Sequence, residues 1–523
     1  MSGRSALPFC VIFLLLALYY GGKAQPSPNI LICIADDVSF PHMGEICKWI
    51  DTPAFDRVAG EGLLFTNAYT PNAKCSPSRS CILTGRNSWQ LKEAANHWNN
   101  FPPEFKTFPE VLYENGYHVG YTGKGWGPGT AKTRDGKKRD LLCNEWNSAT
   151  LSPPTKGIAN IDYTENFKEF FKHKAKGQPF FFWYGAKEPH RRYEYGSAIK
   201  IGGKKVDDID QIPPFFPDND IVRTDLLDYS FEIEYFDHHA LQILEFLDKV
   251  GELDNTIIIV TSDNGMPFPR AKSDAYDFSN HLPMAIMWKD GIKHPGRVIN
   301  DYVSFIDLAP TFLDVAGIEW GKSGMQTTPG KSLCPIFQDQ LQQPFNDYIL
   351  IGKERHDVGR PENYGYPIRG IIKDQWLYLV NYRNDLWPAG NPQTGYLTVD
   401  GSPTKTEVLQ SRHCDDHEYL WRWSFGKREN EELFNLQTDP YCIRNLAADK
   451  QFADVRSGLK QTMENGLKEQ GDPRMEGNGD IFHQYEFTWE PYKDAYERMI
   501  INKEKLVPIW INKTDIEPDF KEY

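Results

Sequence analysis

The chain has 523 residues, a formal net charge of −14, 40% hydrophobic and 25% charged residues. This length supports one large core with a smaller lobe. The acidic balance excludes nucleic acid as the main partner, since phosphate backbones are met by basic surfaces, but a local basic pocket for a small anion stays open.

The N-terminus, "MSGRSALPFCVIFLLLALYYGGKAQ", places Arg4 before a short apolar run over residues 9–20 and small residues at Gly22 and Ala24. It reads as a cleavable secretory leader over 1–24, with an uncleaved anchor as the alternative. No later stretch approaches the ~20 apolar residues of a membrane span. The expectation is export: secreted or periplasmic, or lysosomal in a eukaryote. Of nine cysteines, Cys10 leaves with the leader; the other eight are too sparse for a disulfide framework. No CxxC or Cys/His cluster suggests zinc.

"NILICIADDVSF" opens the mature part with an apolar run over residues 30–35, the pattern of a strand buried on both faces, and ends in Asp36 and Asp37. "QPFFFWYGAKEPH" repeats that logic, with a strand over about 180–184 before Lys187 and His190. Residues 224–251 have helical apolar spacing, with Leu226, Ile233, Ala240, Leu244 and Leu247 on one face. "NTIIIVTSDNG" is another buried strand, ending in Asp263 and Asn264, and residues 302–317 read as a further helix. Alternation of helix and apolar strand is the α/β rhythm, and in open α/β sheets ligands sit beyond the carboxyl ends of the strands. Asp36, Asp37, Lys187, His190, Asp263 and Asn264 are therefore expected on one rim. From about residue 385 the texture shifts to short apolar runs mixed with charges and aromatics, a smaller C-terminal lobe over 385–523 following a main domain over 25–384. The polar and aromatic tail after Gly471 is expected to wrap the surface. Aromatics, at 14% of the chain, suit core packing and equally a carbohydrate-facing cleft.

Asp36, Asp37, Asp263 and Asn264 offer only oxygen donors, which suit calcium or magnesium and not zinc. In "AKCSPSRSCILTG" (73–85), Pro77 and Ser78 mark a loop entering a helix, whose N-terminus is expected to lower the pKa of the Cys75 thiol. Arg79 can hold an oxygen by charge-assisted hydrogen bonds. A bare thiol facing an all-oxygen metal site is a chemical mismatch, since thiolate prefers softer ions. The working group is thus expected not to be the thiol itself.

"CSPSRSCILTG" resembles the signature of the type I sulfatases of the alkaline-phosphatase-like superfamily. The likeness extends through "IADD", "GYTGKGWGPG", "KEPH" and "SDNGMPFPRAK", the last being similar to the heparan N-sulfatase (sulfamidase) branch and to bacterial polysaccharide sulfatases. The resemblance implies a large, mixed, mostly parallel sheet flanked by helices, with a smaller C-terminal α+β lobe. It implies that Cys75 is oxidised to formylglycine by a formylglycine-generating enzyme or an anaerobic maturase. The hydrated aldehyde then supplies an oxygen ligand to one calcium ion beside Asp36, Asp37, Asp263 and Asn264. One hydroxyl attacks the sulfate sulfur, and loss of the second hydroxyl's proton later expels sulfate. Arg79 would orient the diol; Lys124, His190 and Lys272 would contact sulfate, with His190 a candidate proton donor to the leaving group. One departure stands out: the histidine many members carry shortly after this lysine is missing, with Gly125 and Trp126 following Lys124.

Arg355, His356 and Asp357, in an Arg-rich loop-like stretch, are candidate substrate contacts or members of a salt-bridged loop. The expected activity is hydrolysis of sulfate esters on a polysaccharide or its oligosaccharides. The alternatives are an N-sulfoglucosamine sulfohydrolase, a phosphate or phosphonate ester hydrolase, and a non-catalytic binder of sulfated glycans.

Overall fold

The computed structural model describes residues 27–521, so the leader expected over 1–24 lies outside the described residues. Seven strands form the main sheet: β1 (Asn29–Ala35), β2 (Leu63–Phe65), β3 (His118–Gly123), β4 (Phe180–Gly185), β5 (Thr256–Ser262), β6 (Met284–Met287) and β7 (Arg297–Ile299). Their spatial order is β7-β2-β6-β5-β1-β4-β3. Six run parallel, and β6 alone is antiparallel to its neighbours β5 and β2.

The apolar runs become strands because they are buried on both faces, as β1 illustrates. Leu31, Cys33 and Ala35 pack into one hydrophobic layer with Ile233, Ala240 and Leu244 of the long helix α2 (Asp220–Lys249). Ile30, Ile32 and Ile34 pack into the opposite layer, with Ile82 and Leu83 of α1 (Cys75–Thr84) and Phe312 of α3 (Leu308–Val315). Each such isoleucine contributes roughly 1.5–3 kcal/mol of burial. The result is helices on both faces of a largely parallel sheet.

Two helices depart in extent from their sequence patterns. α2 starts four residues before Thr224, because the Asn219 side chain accepts a hydrogen bond from the Val222 amide and caps the first turn. α3 is shorter than residues 302–317, since residues 303–304 pair as a short strand and residues 305–307 form a 3-10 turn.

A second sheet of four antiparallel strands, β8 (Ile349–Lys353), β9 (Ile368–Lys373), β10 (Trp376–Asn381) and β11 (Glu431–Asn435), forms the smaller lobe with helix α4 (Ala453–Glu469) packed on it. Three of its strands precede residue 384 and one follows, so this sheet straddles the point where the sequence texture changes. The tail beyond α4 packs back on the smaller lobe and reaches the main domain. Asp472 pairs with the buried Arg369 of β9 at 2.6 Å, Asp515 pairs with Lys405 at 3.2 Å, and the Thr488 amide bonds the Trp98 carbonyl at 2.9 Å. Among the described residues the eight cysteines form no disulfide, and no helix is long and apolar enough to cross a membrane.

Candidate active site

The rim expected from sequence exists. In the sheet order β5-β1-β4-β3, the residues just past the carboxyl ends are Asp263 and Asn264, then Asp36 and Asp37, then Lys187 and His190, then Lys124. Four adjacent parallel strands thus deliver their polar ends to one edge. The glycines at the ends of β3 and β4 are steric requirements there. A Cβ on Gly185 would stand 1.9 Å from the Lys124 carbonyl oxygen, so only glycine lets the two chains approach. At Asp37 the backbone turns through φ 83°, a left-handed conformation that Asp tolerates better than most residues.

Cys75 faces this edge from the first turn of α1. The helix begins at Cys75 itself and not after Pro77, which occupies the first turn, where its missing N–H costs nothing. Every residue of α1 is buried. The expected lowering of the thiol pKa does not occur: burial first, then the Asp36 charge, push the thiol well up, outweighing the helix N-terminus. Cys75 Sγ lies 3.4 Å from Asp36 Oδ1 and 4.0 Å from Asp37 Oδ1, a protonated thiol among carboxylates. It is poorly suited to act as a nucleophile in that state.

Three cations brace the carboxylates from outside. Arg79 Nε donates to Asp263 Oδ2 at 2.7 Å, while its Nη1 donates to the Lys124 and Gly125 carbonyls, each at 2.7 Å. Lys124 Nζ is 2.5 Å from Asp36 Oδ2. Lys272 Nζ sits between Asp37 Oδ2 at 2.7 Å and Asp400 Oδ2 at 2.8 Å. Burial would raise the Asp36 carboxyl, yet Lys124, His190, Arg79 and Lys272 hold it far below the usual range. Asp263 goes the other way. Burial pushes it up to about 6 despite Arg79, with Asp36 adding to the rise.

The donor set suits a hard divalent cation. One carboxylate oxygen each from Asp36, Asp37 and Asp263 lies within 4.8 Å of the others. Asn264 Oδ1 is buried with no hydrogen-bond partner, while its amide nitrogen stands 2.5 Å from Asp37 Oδ1. An orphaned carbonyl beside three carboxylates, with neither cysteine nor histidine required, is the chemistry of a calcium or magnesium site. His190 approaches from the other side: one of its ring nitrogens, Cys75 Sγ and an Asp36 oxygen all lie within 4.8 Å of one another. Its Nδ1 stands 2.8 Å from the Arg191 carbonyl oxygen, leaving Nε2 for the site.

Above Cys75 opens a cavity of about 370 Å³ lined by Lys124, His190 and Lys272, together with Lys74, His97, Trp98, Asp357, Asp400, Trp489 and Trp510. The profile of the family described as "Sulfatase" matches residues 28–318, more than half of the chain and all of the rim. The chain belongs to the sulfatase family. It is 27% identical over 505 residues to N-sulphoglucosamine sulphohydrolase of Homo sapiens, covering 89% of this chain and 94% of that protein. It is 26% identical over 489 residues to an ulvan-active sulfatase of Formosa agariphila, covering 86% and 76%. A solved 2-O GAG sulfatase shares the fold with a TM-score of 0.60 at 17% identity, covering 86% of this chain and 94% of that one. The protein is thus a sulfuric ester hydrolase by family, on an alkaline-phosphatase-like scaffold.

In this sulfatase the candidate loop divides. Asp357 lines the cavity, where it accepts from Lys74 at 2.8 Å and from His97 at 3.2 Å. Arg355 and His356 are buried elsewhere. The Arg355 guanidinium donates to the carbonyls of Tyr485 and Glu486 at 2.7 and 2.9 Å, so it fastens the tail, and His356 Nε2 meets Asn72 Oδ1 at 2.6 Å. Lys187, on the rim, is exposed and lines an outer cleft beside His190. Sequence reasoning missed Lys74, His97, Trp98, Asp400, Trp489 and Trp510. Lys74 had its adjacency to Cys75 as a signal; the others are brought in only by long-range packing.

His97 carries a testable consequence. Burial, aided by Lys74, brings its pKa down to about 4 against the pull of Asp357. The folded sulfatase therefore refuses a proton that the unfolded chain accepts below about 6.5, and stability is lost as pH falls from there toward 4. In the His97→Gln variant this loss disappears. Urea unfolding across that window should show the wild type losing up to about 3 kcal/mol relative to the variant. A constant difference between the two would mean that His97 is charged in the folded state.

Proposed function

We propose that this sulfatase hydrolyses sulfate esters on a sugar of a sulfated polysaccharide or its oligosaccharides, using a formylglycine made from Cys75 and one calcium ion. The observation that carries this reading is the placement of a buried, protonated thiol against an all-oxygen donor set, with Arg79, Lys124 and Lys272 crowded around it. Asp36, Asp37, Asp263 and Asn264 would hold the calcium. When present, the ion and the modified Cys75 side chain supply positive charge at the sulfate oxygens and an oxygen nucleophile.

The residues of the chain do the rest. Arg79, pinned by Asp263 and two carbonyls, keeps its remaining nitrogen without a hydrogen-bond partner, 3.9 Å from Asp36 Oδ1, and would orient the modified Cys75 side chain with it. Lys124 and Lys272, each already paired with a metal-site carboxylate, present fixed charge to the sulfate oxygens; being preorganised, they cost no reorientation as charge develops. His190 is placed to protonate the departing sugar oxygen. No histidine stands just after Lys124, where Gly125 and Trp126 follow, so that position does not take the proton from the nucleophile.

The sulfamidase activity is the second reading, favoured by the similarity to the human sulphohydrolase. Sulfate release from O-sulfated and N-sulfated glucosamine, measured side by side, separates them; absence of turnover on every sulfated sugar overturns both. Calcium makes a second prediction. A chelator should abolish activity, and added calcium should raise the unfolding midpoint by mass action, worth about 2.7 kcal/mol at a hundred-fold excess over Kd. The Asp263→Asn variant should lose most of that response. A midpoint indifferent to calcium in the wild type would remove the metal from the scheme. Export through the leader over 1–24, and maturation by a formylglycine-generating or anaerobic maturase, belong to the same reading. The assignment of 25–384 to catalysis and 385–523 to a lobe that helps close the cavity belongs to it as well.

A further inference from the structure

One wall of the cavity is aromatic and comes from two distant parts of the chain. Trp98, from the segment after α1, stacks on Trp489 of the tail with ring centres 4.2 Å apart and planes inclined by 22°. Trp489 stacks in turn on Trp510, at 5.0 Å and 26°. All three line the cavity with Cys75, Lys124, His190 and Lys272, and none of the three is fully buried. The wall is held by several independent ties. The Trp98 carbonyl accepts from the Thr488 amide at 2.9 Å, the Trp510 indole donates to the Leu397 carbonyl at 2.8 Å, and Arg355 clamps the tail just before Trp489. Trp98 also holds a left-handed backbone, φ 51°, which costs energy in a non-glycine residue and is kept only where surrounding structure enforces it.

Beside the indoles, the same cavity is lined by a histidine that holds a buried, unpartnered ring nitrogen. His97 is 6% exposed, its Nδ1 meets Asp357 Oδ1 at 3.2 Å, and its Nε2 is buried with no hydrogen-bond partner. A carboxylate at Nδ1 selects the tautomer that carries its proton there, which leaves Nε2 as an acceptor. A ligand that fills this space must offer an apolar face to the indoles and a donor to the imidazole at its edge.

We propose that the stacked indoles of Trp98, Trp489 and Trp510 form the binding wall for the pyranose ring that bears the sulfate: Trp489 is the centre of the stack and holds it together, the sugar packs on the outer face and edges that the stack turns to the cavity, and one hydroxyl donates to His97 Nε2. This inference rests on the sugar-sulfatase reading and deepens it. The cations around Cys75 select sulfate, and the tail selects what the sulfate is attached to. The C-terminal tail is thereby a specificity element and not only a surface wrap. A flat, rigid aromatic body loses little entropy on binding and favours stacked partners, which is why ring-bearing and ring-free sulfates should separate here.

The test uses the full-length Cys75→Ala chain, which binds without turnover, titrated with glucosamine 6-O-sulfate and with methyl sulfate while tryptophan fluorescence and heat are followed. The sugar sulfate should bind at least about ten-fold tighter than methyl sulfate and should shift the tryptophan emission. Adding Trp489→Ala should lower the sugar affinity about five- to ten-fold and leave methyl sulfate unchanged, with Trp489→Phe restoring most of the loss. Trp98→Leu, which keeps an apolar body without the aromatic face, is the second variant, and both are compared with the parent by unfolding midpoint. A sugar-to-methyl-sulfate ratio unmoved by both variants overturns the wall. Sulfate release from the same sugar by the unmutated enzyme tells the two failures apart. Turnover with a wall-independent ratio overturns the wall alone, and absence of turnover on every sulfated sugar overturns the glycan reading and this inference with it.

Discussion

Replacing Cys75 by alanine is expected to reduce sulfate release by at least about a thousand-fold, the scale seen when a nucleophile is removed from a site whose parts act as a unit. The fold should hardly notice. Cys75 is a small side chain whose sulfur makes only long contacts, 3.4 Å and 4.0 Å, to two carboxylates, so the unfolding free energy should move by no more than about 1 kcal/mol. Loss of activity without loss of stability is what distinguishes a reacting group from a packing group. The companion measurement is peptide mass spectrometry across Cys75 in active wild-type protein, which should find the aldehyde or its hydrate. Fully active enzyme with an intact thiol at this position would end the formylglycine account. It would also leave unexplained why a thiol with a raised pKa faces oxygen donors.

Replacing Arg79 by methionine should damage both properties at once. The guanidinium has no exposed surface, and it bonds Asp263 and the carbonyls of Lys124 and Gly125. Its removal leaves Asp263 without its direct cation and Asp36 with one fewer, in a place where water cannot compensate. Breaking a buried ion pair from one side costs about 3–5 kcal/mol. Arg79→Lys restores the charge without the planar fork that spans carboxylate and carbonyls, and it should recover only part of the stability. Urea denaturation of the three proteins tests the order wild type, lysine, methionine. Equal stability of wild type and methionine variants would show that Lys124 and Lys272 alone neutralise the carboxylates. Activity should fall in both variants, because Asp263 and the β3 end lose their common anchor.

Much of the fold and the chemistry of the rim could be read along the chain because both are local. β1, β4 and β5 announce themselves as continuous apolar runs, and the site residues follow within about five positions of each strand's end, so strand and site residue share one segment. The Cys75–Arg79 spacing is likewise contained in two turns of a single helix. What was misread locally was the balance of forces. The helix N-terminus and burial act oppositely on the Cys75 thiol, and only the structure reveals that burial wins. The loop residues Arg355 and His356 illustrate the same limit. Their charge suggested a substrate contact, yet one clamps the tail and the other is sealed against Asn72.

The cavity wall was not legible at all. Trp98, Asp400, Trp489 and Trp510 are separated by up to several hundred positions, and nothing in the short stretch around any one of them hints that they meet beside Cys75. By itself, the sequence determined which atoms can do chemistry: oxygen donors, a cysteine and cations, most of them at the end of a strand or in one short helix. Only the tertiary structure decided what those atoms are offered. The shape above the rim comes from the packing of a distant tail, and such contacts depend on where chains end up in space and leave no periodicity behind.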